Sequence, residues 1–230
     1  MRAYPHNDKQ MYLDRVKFHR EHDELTQGVG WQPRRSAGRL ALRAQGRQSN
    51  GTTRGCAVGC TLHEYNHAKY PELLGVPEVL ARLQDRIFES LDRNDALAFP
   101  EQFLSAIQTG ADLSLVWPKL AVWVLTDPNH GVIRFVQDPK HEKQKIAIEN
   151  VAKLWQRVIA GESVKISEWQ KARHDADDAA ADAADAADAA DAAYADAVDA
   201  AADDAVDGRK TQWKAIRDKL ISLLSEAPVA

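Results

Sequence analysis

The chain has little of what a secreted or membrane protein needs. Its 230 residues include only two cysteines. The longest apolar run, LAVWVL at residues 120–125, is far shorter than the ~20 residues that cross a bilayer. The opening residues, MRAYPHNDKQ, contain no apolar segment like that of a signal peptide. We therefore expect a soluble, cytoplasmic protein with reduced thiols and no membrane partner.

The net charge of -4 hides two segments of opposite sign. Residues 31–55 hold six arginines and no acid, whereas residues 175–207 hold twelve aspartates and no lysine, arginine or glutamate. The basic segment is rich in turn-forming residues, which predicts a loop or insertion. Nucleic-acid binding is one interpretation; a solvated loop, or one that pairs with the acidic segment, is favoured because the whole chain is not basic. The candidate nucleic-acid ligands are Arg34, Arg35, Arg39, Arg43 and Arg47.

Apolar residues recur at helical spacing over most of the chain. Two such stripes are Leu80, Leu83, Ile87 and Leu91, and Ile148, Val151, Trp155 and Val158. Residues 131–138, GVIRFVQD, indicate instead a brief extended piece. We predict a mainly α fold, with a compact helical domain over residues 1–161 that contains a short Cys/His metal turn and the basic insertion (31–55). A C-terminal helical arm follows over residues 162–230.

The arm combines two kinds of helix. Alanine favours helix over residues 175–207, and the aspartates leave clear a narrow seam of small residues, spaced as in closely packed helix pairs. An amphipathic helix is predicted at residues 210–226. We interpret the acidic helix as a packing or partner-binding arm, for an unknown protein partner or for self-association. The alternative is an acidic nucleic-acid mimic, whose carboxylates occupy the basic groove of a DNA- or RNA-binding protein.

The stretch GCAVGCTLHEYNH, residues 55–67, carries most of the candidate chemistry. Its thiols and imidazoles are donors that zinc prefers. On one straight helix Cys56 and His67 would lie ~16 Å apart, too far to share an ion. One site therefore requires a turn around Gly59 and then a helix from about Thr61. The predicted ligands of this structural zinc are Cys56, Cys60, His63 and His67, with His19 and His22 in reserve.

Within this stretch HEYNH fits the H-E-x-x-H pattern of zinc peptidases. In that interpretation His63 and His67 bind zinc from one helix face, and Glu64 polarises the attacking water. The third ligand would be Glu78 or Glu89, and we expect both to point toward solvent. A zinc-dependent hydrolase with Glu64 as its catalytic residue is therefore the alternative function, and enzyme activity stays open.

The runs RGCAVGCTLHEYNHAKYPELLGVPEVLARLQDRIFESL and FPEQFLSAIQTGADLSLVWPKLAVWVL, with an alanine-rich tail, resemble a family of uncharacterised bacterial and phage-associated proteins. The resemblance covers roughly residues 11–161 and, more loosely, the tail. Cys56, Cys60 and His67 match the family pattern best, and the position of Glu64 is often not acidic there, which counts against the peptidase interpretation. The resemblance implies no activity. We predict a non-enzymatic binding or interaction protein, stabilised by zinc and related to phage proteins.

Overall fold

The computed structural model describes residues 2–33, 53–179 and 198–229. Within these residues the fold is mainly α-helical, as predicted. The helices are α1 (Lys9–Glu21), α2 (Ala57–Leu62), α3 (Tyr70–Leu74), α4 (Glu78–Ser90), α5 (Arg93–Ala106), α6 (Val116–Thr126), α7 (Glu142–Ile159), α8 (166–179) and α9 (Val198–Ser225). Short 3-10 helices cover His67–Lys69, Val132–Val136 and Pro139–His141. The extended piece predicted at residues 131–138 is therefore wrong.

One short antiparallel sheet joins the two sides of the basic segment. Strand β1 (Trp31–Gln32) pairs with β2 (Arg54–Gly55), with Trp31 opposite Gly55. Leu25 also pairs with Gly55, through an isolated parallel β-bridge. The five arginines proposed to contact nucleic acid lie between these strands, outside the described residues.

The chain divides into two compact units. The first comprises Met1–Leu113 with Leu224–Ala230, and the second comprises Ser114–Leu223. This division falls at Leu113, whereas the boundary predicted from the sequence follows Gly161.

The core of the first unit is built from apolar faces of α1, α2, α4 and α5. On α4 the predicted stripe is largely buried: Leu80 and Ile87 are fully buried, and Leu83 is only half-buried. On α5 the Phe99 and Phe103 rings meet edge to face at 6.1 Å. Helix α2 contacts both α1 and α4, so the cysteine-bearing segment lies inside this core.

The second unit packs α6 against α7. Trp155 of α7 meets the ring of Trp117 edge to face at 6.2 Å, and it lies 4.6 Å from the ring of Trp169 on α8. Helix α9 runs without interruption through Gly208, and Ile216 and Leu220 on its later turns are buried.

The acidic arm is described only in part. Residues 175–179 and 198–207 are helical, as predicted, while residues 180–197, with most of the alanine seam, lie outside the described residues. The partner-binding and nucleic-acid-mimic interpretations of this arm stay predictions. No helix among the described residues is long and apolar enough to cross a membrane.

Candidate metal centre

The cysteine–histidine stretch folds differently from the predicted clasp. Cys56 is the extended residue just before α2, and Cys60 lies within that helix. The chain bends at His63, which follows Leu62 in a left-handed conformation with φ of 58°. The predicted turn around Gly59, with a helix starting near Thr61, is therefore wrong.

Gly59 serves close packing instead of a turn. A Cβ built on this helical glycine would lie 2.4 Å from the carbonyl oxygen of Gly30. The same oxygen accepts a hydrogen bond of 2.9 Å from the backbone N–H of Cys56. Position 59 therefore requires glycine, because the carbonyl of Gly30, just before β1, packs directly against the first turn of α2. The local sequence does not reveal this contact.

HEYNH does not form the helix that a zinc peptidase requires. His63 ends α2, whereas His67 begins a separate 3-10 helix, so the two imidazoles do not share one helix face. The Glu64 side chain is substantially exposed and forms an ion pair with Lys69. The hydrogen bond from Lys69 lowers the pKa of Glu64. Glu64 is therefore a surface carboxylate with a partner of its own, and the predicted placement of a catalytic base between two ligands on one helix is wrong.

A different set of donors comes together beside α2. One ligand atom each from Cys56, Asp85 and Glu89 lies within 4.8 Å of the other two. Asp85 and Glu89 are one turn apart on α4, which faces the N-terminal end of α2 where Cys56 sits. In the part of the chain that the structure describes, no other three such donors lie close enough together to share an ion.

Asp85 is the key member of this group because half of its carboxylate has no partner. Its Oδ2 atom accepts hydrogen bonds from the Tyr65 hydroxyl at 2.9 Å and from His67 Nε2 at 3.1 Å. Its Oδ1 atom is buried and makes no hydrogen bond. A buried carboxylate oxygen left in this state is costly unless a cation or a donor satisfies it.

A loop after α1 covers the group from the other side. The backbone N–H of Gly28 donates to Glu89 Oε2 at 2.6 Å, and Gly28 has a φ of 75° that favours glycine. Gln27 donates to the carbonyls of Phe88 and Leu91 at the end of α4. A cavity of 330 Å³ opens between this loop and the three donors, with Tyr65 in its wall. The donors thus border a space large enough for an ion and its water.

The charge environment of the group disfavours a free thiolate. Burial, assisted by the charge of Asp85, raises the pKa of Cys56 to about 12. Burial likewise raises the pKa of Glu89, against the opposing hydrogen bond from the Gly28 N–H. Cys56 is therefore no ready nucleophile, and a divalent cation between these groups would reverse both shifts.

No protein-family model, no curated protein and no solved structure matches this chain. The resemblance to bacterial and phage-associated proteins stays a prediction.

The four predicted ligands take separate positions. Cys56 joins the new group, and His67 is linked to it through Asp85. Cys60 is fully buried and its Sγ donates to the Gly55 carbonyl at 3.3 Å. His63 stacks on Trp31, with ring centroids 5.0 Å apart.

The sequence patterns do not point to Asp85 or to its contact with Cys56. Glu89 is exposed, as predicted, although its carboxylate also lies close to Cys56 and Asp85. The i,i+4 pair of acids on α4 was the available signal, because such a pair presents two carboxylates from one helix face. Only the packing of α4 against α2 adds the thiol.

Proposed function

We propose that this chain is a non-enzymatic binding protein whose first unit holds one divalent transition-metal ion. Its ligands are Cys56, Asp85 and Glu89, and zinc is the first candidate. Zinc accepts cysteine sulfur together with carboxylate oxygen, a donor pair that calcium and magnesium do not use. The ion would tie α4 to the start of α2 and so stabilise the fold of this unit.

The unpartnered Oδ1 of buried Asp85 is the observation that carries this proposal. Tyr65 and His67 both bind Oδ2, which leaves Oδ1 as the oxygen without a partner. Carboxylates that bind a metal are usually held in place by hydrogen bonds from neighbouring groups, as Tyr65 and His67 hold Asp85 here. Binding is favoured over hydrolysis because Glu64, the residue that a peptidase mechanism would use, is an exposed partner of Lys69.

Metal content measured by elemental analysis tests the proposal. The wild-type chain, loaded with Zn²⁺ and desalted, is expected to retain one equivalent and to melt at a higher temperature than the chelator-treated chain, because a ligand that binds only the folded state stabilises it. Cys56→Ser, Asp85→Asn and Glu89→Gln are each expected to lose the ion. Cys60→Ser is the matched control, since Cys60 is equally buried and lies outside the group.

Three results would count against the proposal. The first is a wild-type chain that binds no zinc, and the second is retention of zinc by the three ligand variants. The third is a loss of zinc in Cys60→Ser as complete as the loss in Cys56→Ser. The last result would favour the four-ligand set predicted from the sequence. Should a ligand variant fail to fold, the absorption spectrum of the wild-type chain loaded with Co²⁺ still tests for a cysteine ligand, because a thiolate bound to cobalt produces an intense sulfur-to-cobalt absorption band.

A further inference from the structure

A second pair of metal-type donors lies between α1 and the residue that ends α2. The Nε2 atoms of His19 and His63 are 2.9 Å apart. His19 is buried on α1, whereas His63 is exposed on one side and stacked on Trp31 on the other. Neither residue belongs to the group around Cys56.

A carboxylate decides how His19 presents its nitrogen atoms. Glu24 Oε2 lies 2.7 Å from His19 Nδ1. A carboxylate only accepts hydrogen bonds, so Nδ1 carries the proton, and in neutral His19 the lone pair on Nε2 accepts the hydrogen bond from His63 Nε2–H. A metal ion bound between the two rings would take the place of that His63 proton. This carboxylate–imidazole arrangement is the one that orients histidine ligands in metal sites. Stacking on Trp31 holds the His63 ring in a fixed plane.

An ion that replaces this proton and keeps the present spacing of the two nitrogen atoms has a defined coordination geometry. Atoms 2.9 Å apart, each ~2.05 Å from one ion, subtend about 90° at that ion. A tetrahedral zinc ion would separate them by about 3.3 Å. Neighbouring ligands at about 90° are the arrangement of tetragonal or octahedral ions such as Ni²⁺ and Cu²⁺.

We infer that His19 and His63 form a two-histidine site for a tetragonal divalent ion of the Ni²⁺ or Cu²⁺ type, oriented by Glu24. Within the described residues no third cysteine, histidine or carboxylate donor joins the pair at ligand distance, so water fills the remaining positions. An open groove of 560 Å³ reaches both histidines, with Arg15 and Phe18 in its wall. The ion therefore has a path to solvent and room for water ligands.

Titration with Ni²⁺ of the full-length wild-type chain, loaded beforehand with one equivalent of Zn²⁺ so that the Cys56 group is filled, tests the site. Calorimetry is expected to show one equivalent bound, and nickel X-ray absorption is expected to show imidazole scattering with no sulfur neighbour. His63→Gln is the main variant because His63 is exposed and its loss leaves the core intact. It should weaken the affinity at least about tenfold, and Glu24→Gln by a similar factor.

His22→Gln is the matched control. His22 is an exposed histidine three residues after His19, stacked on Phe18 and outside the pair, so its loss should change the affinity by less than about twofold. No binding, unchanged affinity in His63→Gln, or an equal loss in His22→Gln would overturn the inference. A sulfur neighbour would also overturn it and would assign the nickel to Cys56. The zinc proposal is tested separately, because its test is the loss of zinc in Cys56→Ser and not the effect of His63→Gln.

Discussion

The Nε2 atom of His67 lies 3.1 Å from Oδ2 of Asp85, although the two residues are eighteen positions apart. His67 thus contacts the carboxylate whose ligand atom lies close to Cys56. A histidine that the sequence marks as a metal ligand is, in the structure, the hydrogen-bond partner of a residue that the sequence did not mark. The first prediction follows from this contact.

Removing either donor to Asp85 Oδ2 should weaken metal binding without abolishing it. Tyr65→Phe and His67→Gln each leave the three ligands in place but free the carboxylate to rotate, so we expect the zinc affinity to fall about 10–100-fold. Competition with a chromophoric chelator measures this. Lys69→Gln is the control from the same turn and should keep the wild-type affinity, since Lys69 binds Glu64 instead. Wild-type affinity in both test variants would show that Asp85 needs no such support.

Glu64→Gln should change neither metal content nor metal affinity, because Glu64 is a solvent-exposed partner of Lys69. The measurements are elemental analysis and chelator competition, run beside an assay of peptide hydrolysis on the zinc-loaded wild-type chain. A hydrolytic activity that disappears in Glu64→Gln, with the metal still bound, would establish the zinc hydrolase instead.

A buried hydrogen bond between α3 and α4 should contribute measurably to stability. The Tyr70 hydroxyl donates to Gln84 Oε1 at 2.9 Å, and both residues are fully buried. Tyr70→Phe leaves the amide oxygen without its donor and should lower the free energy of unfolding by about 1–3 kcal/mol. Urea denaturation of Tyr70→Phe, Gln84→Leu and the double variant checks this. The double variant should cost less than the sum of the single ones; strict additivity would mean that the two side chains do not interact.

Both thiols should resist modification while the protein is folded. Burial raises the pKa of Cys56 to about 12, and it also raises that of Cys60 well above its usual range. Thiolate is the reacting species, so an aromatic disulfide reagent at pH 8 should react with neither cysteine until urea unfolds the chain, and then with both. Rapid reaction of one thiol in native conditions would contradict the buried position of that cysteine.

The ion pair between Arg157 and Glu168 in the second unit should make stability depend on pH. The hydrogen bond from the Arg157 guanidinium, with that from the Lys165 backbone N–H, lowers the pKa of Glu168. A carboxyl group with a lowered folded-state pKa binds fewer protons in the folded than in the unfolded chain, so its contribution is present above pH ~4.5 and is lost as the pH falls further. The difference in melting temperature between wild type and Glu168→Gln should therefore be largest near neutral pH and shrink as the pH falls below ~4.5. Glu72→Gln, at an exposed position on α3, should show no such trend. A constant difference across this range would exclude the pair as its source.

The fold class could be predicted from the sequence because it depends on local periodicity. The apolar stripe at Leu80 and Ile87 defines one face of a helix wherever that helix packs, and the structure buries both residues. The same holds for Ile216 and Leu220 on α9. The prediction of an extended piece at residues 131–138 failed because four β-branched and aromatic residues around Arg134 are too few to distinguish a strand from a 3-10 turn.

The candidate site could be predicted only in its chemistry. The sequence alone identified the segment from Cys56 to His67 as the place where soft donors concentrate, since donor type is a property of each side chain. Tertiary structure decided which donors meet. The carbonyl of Gly30 packs against Gly59, and Cys60 is buried within α2. The bend at His63 separates the two histidines, and the packing of α4 adds Asp85 and Glu89 to Cys56. Ligand identity is local, but the distance between ligands is set by how distant helices pack.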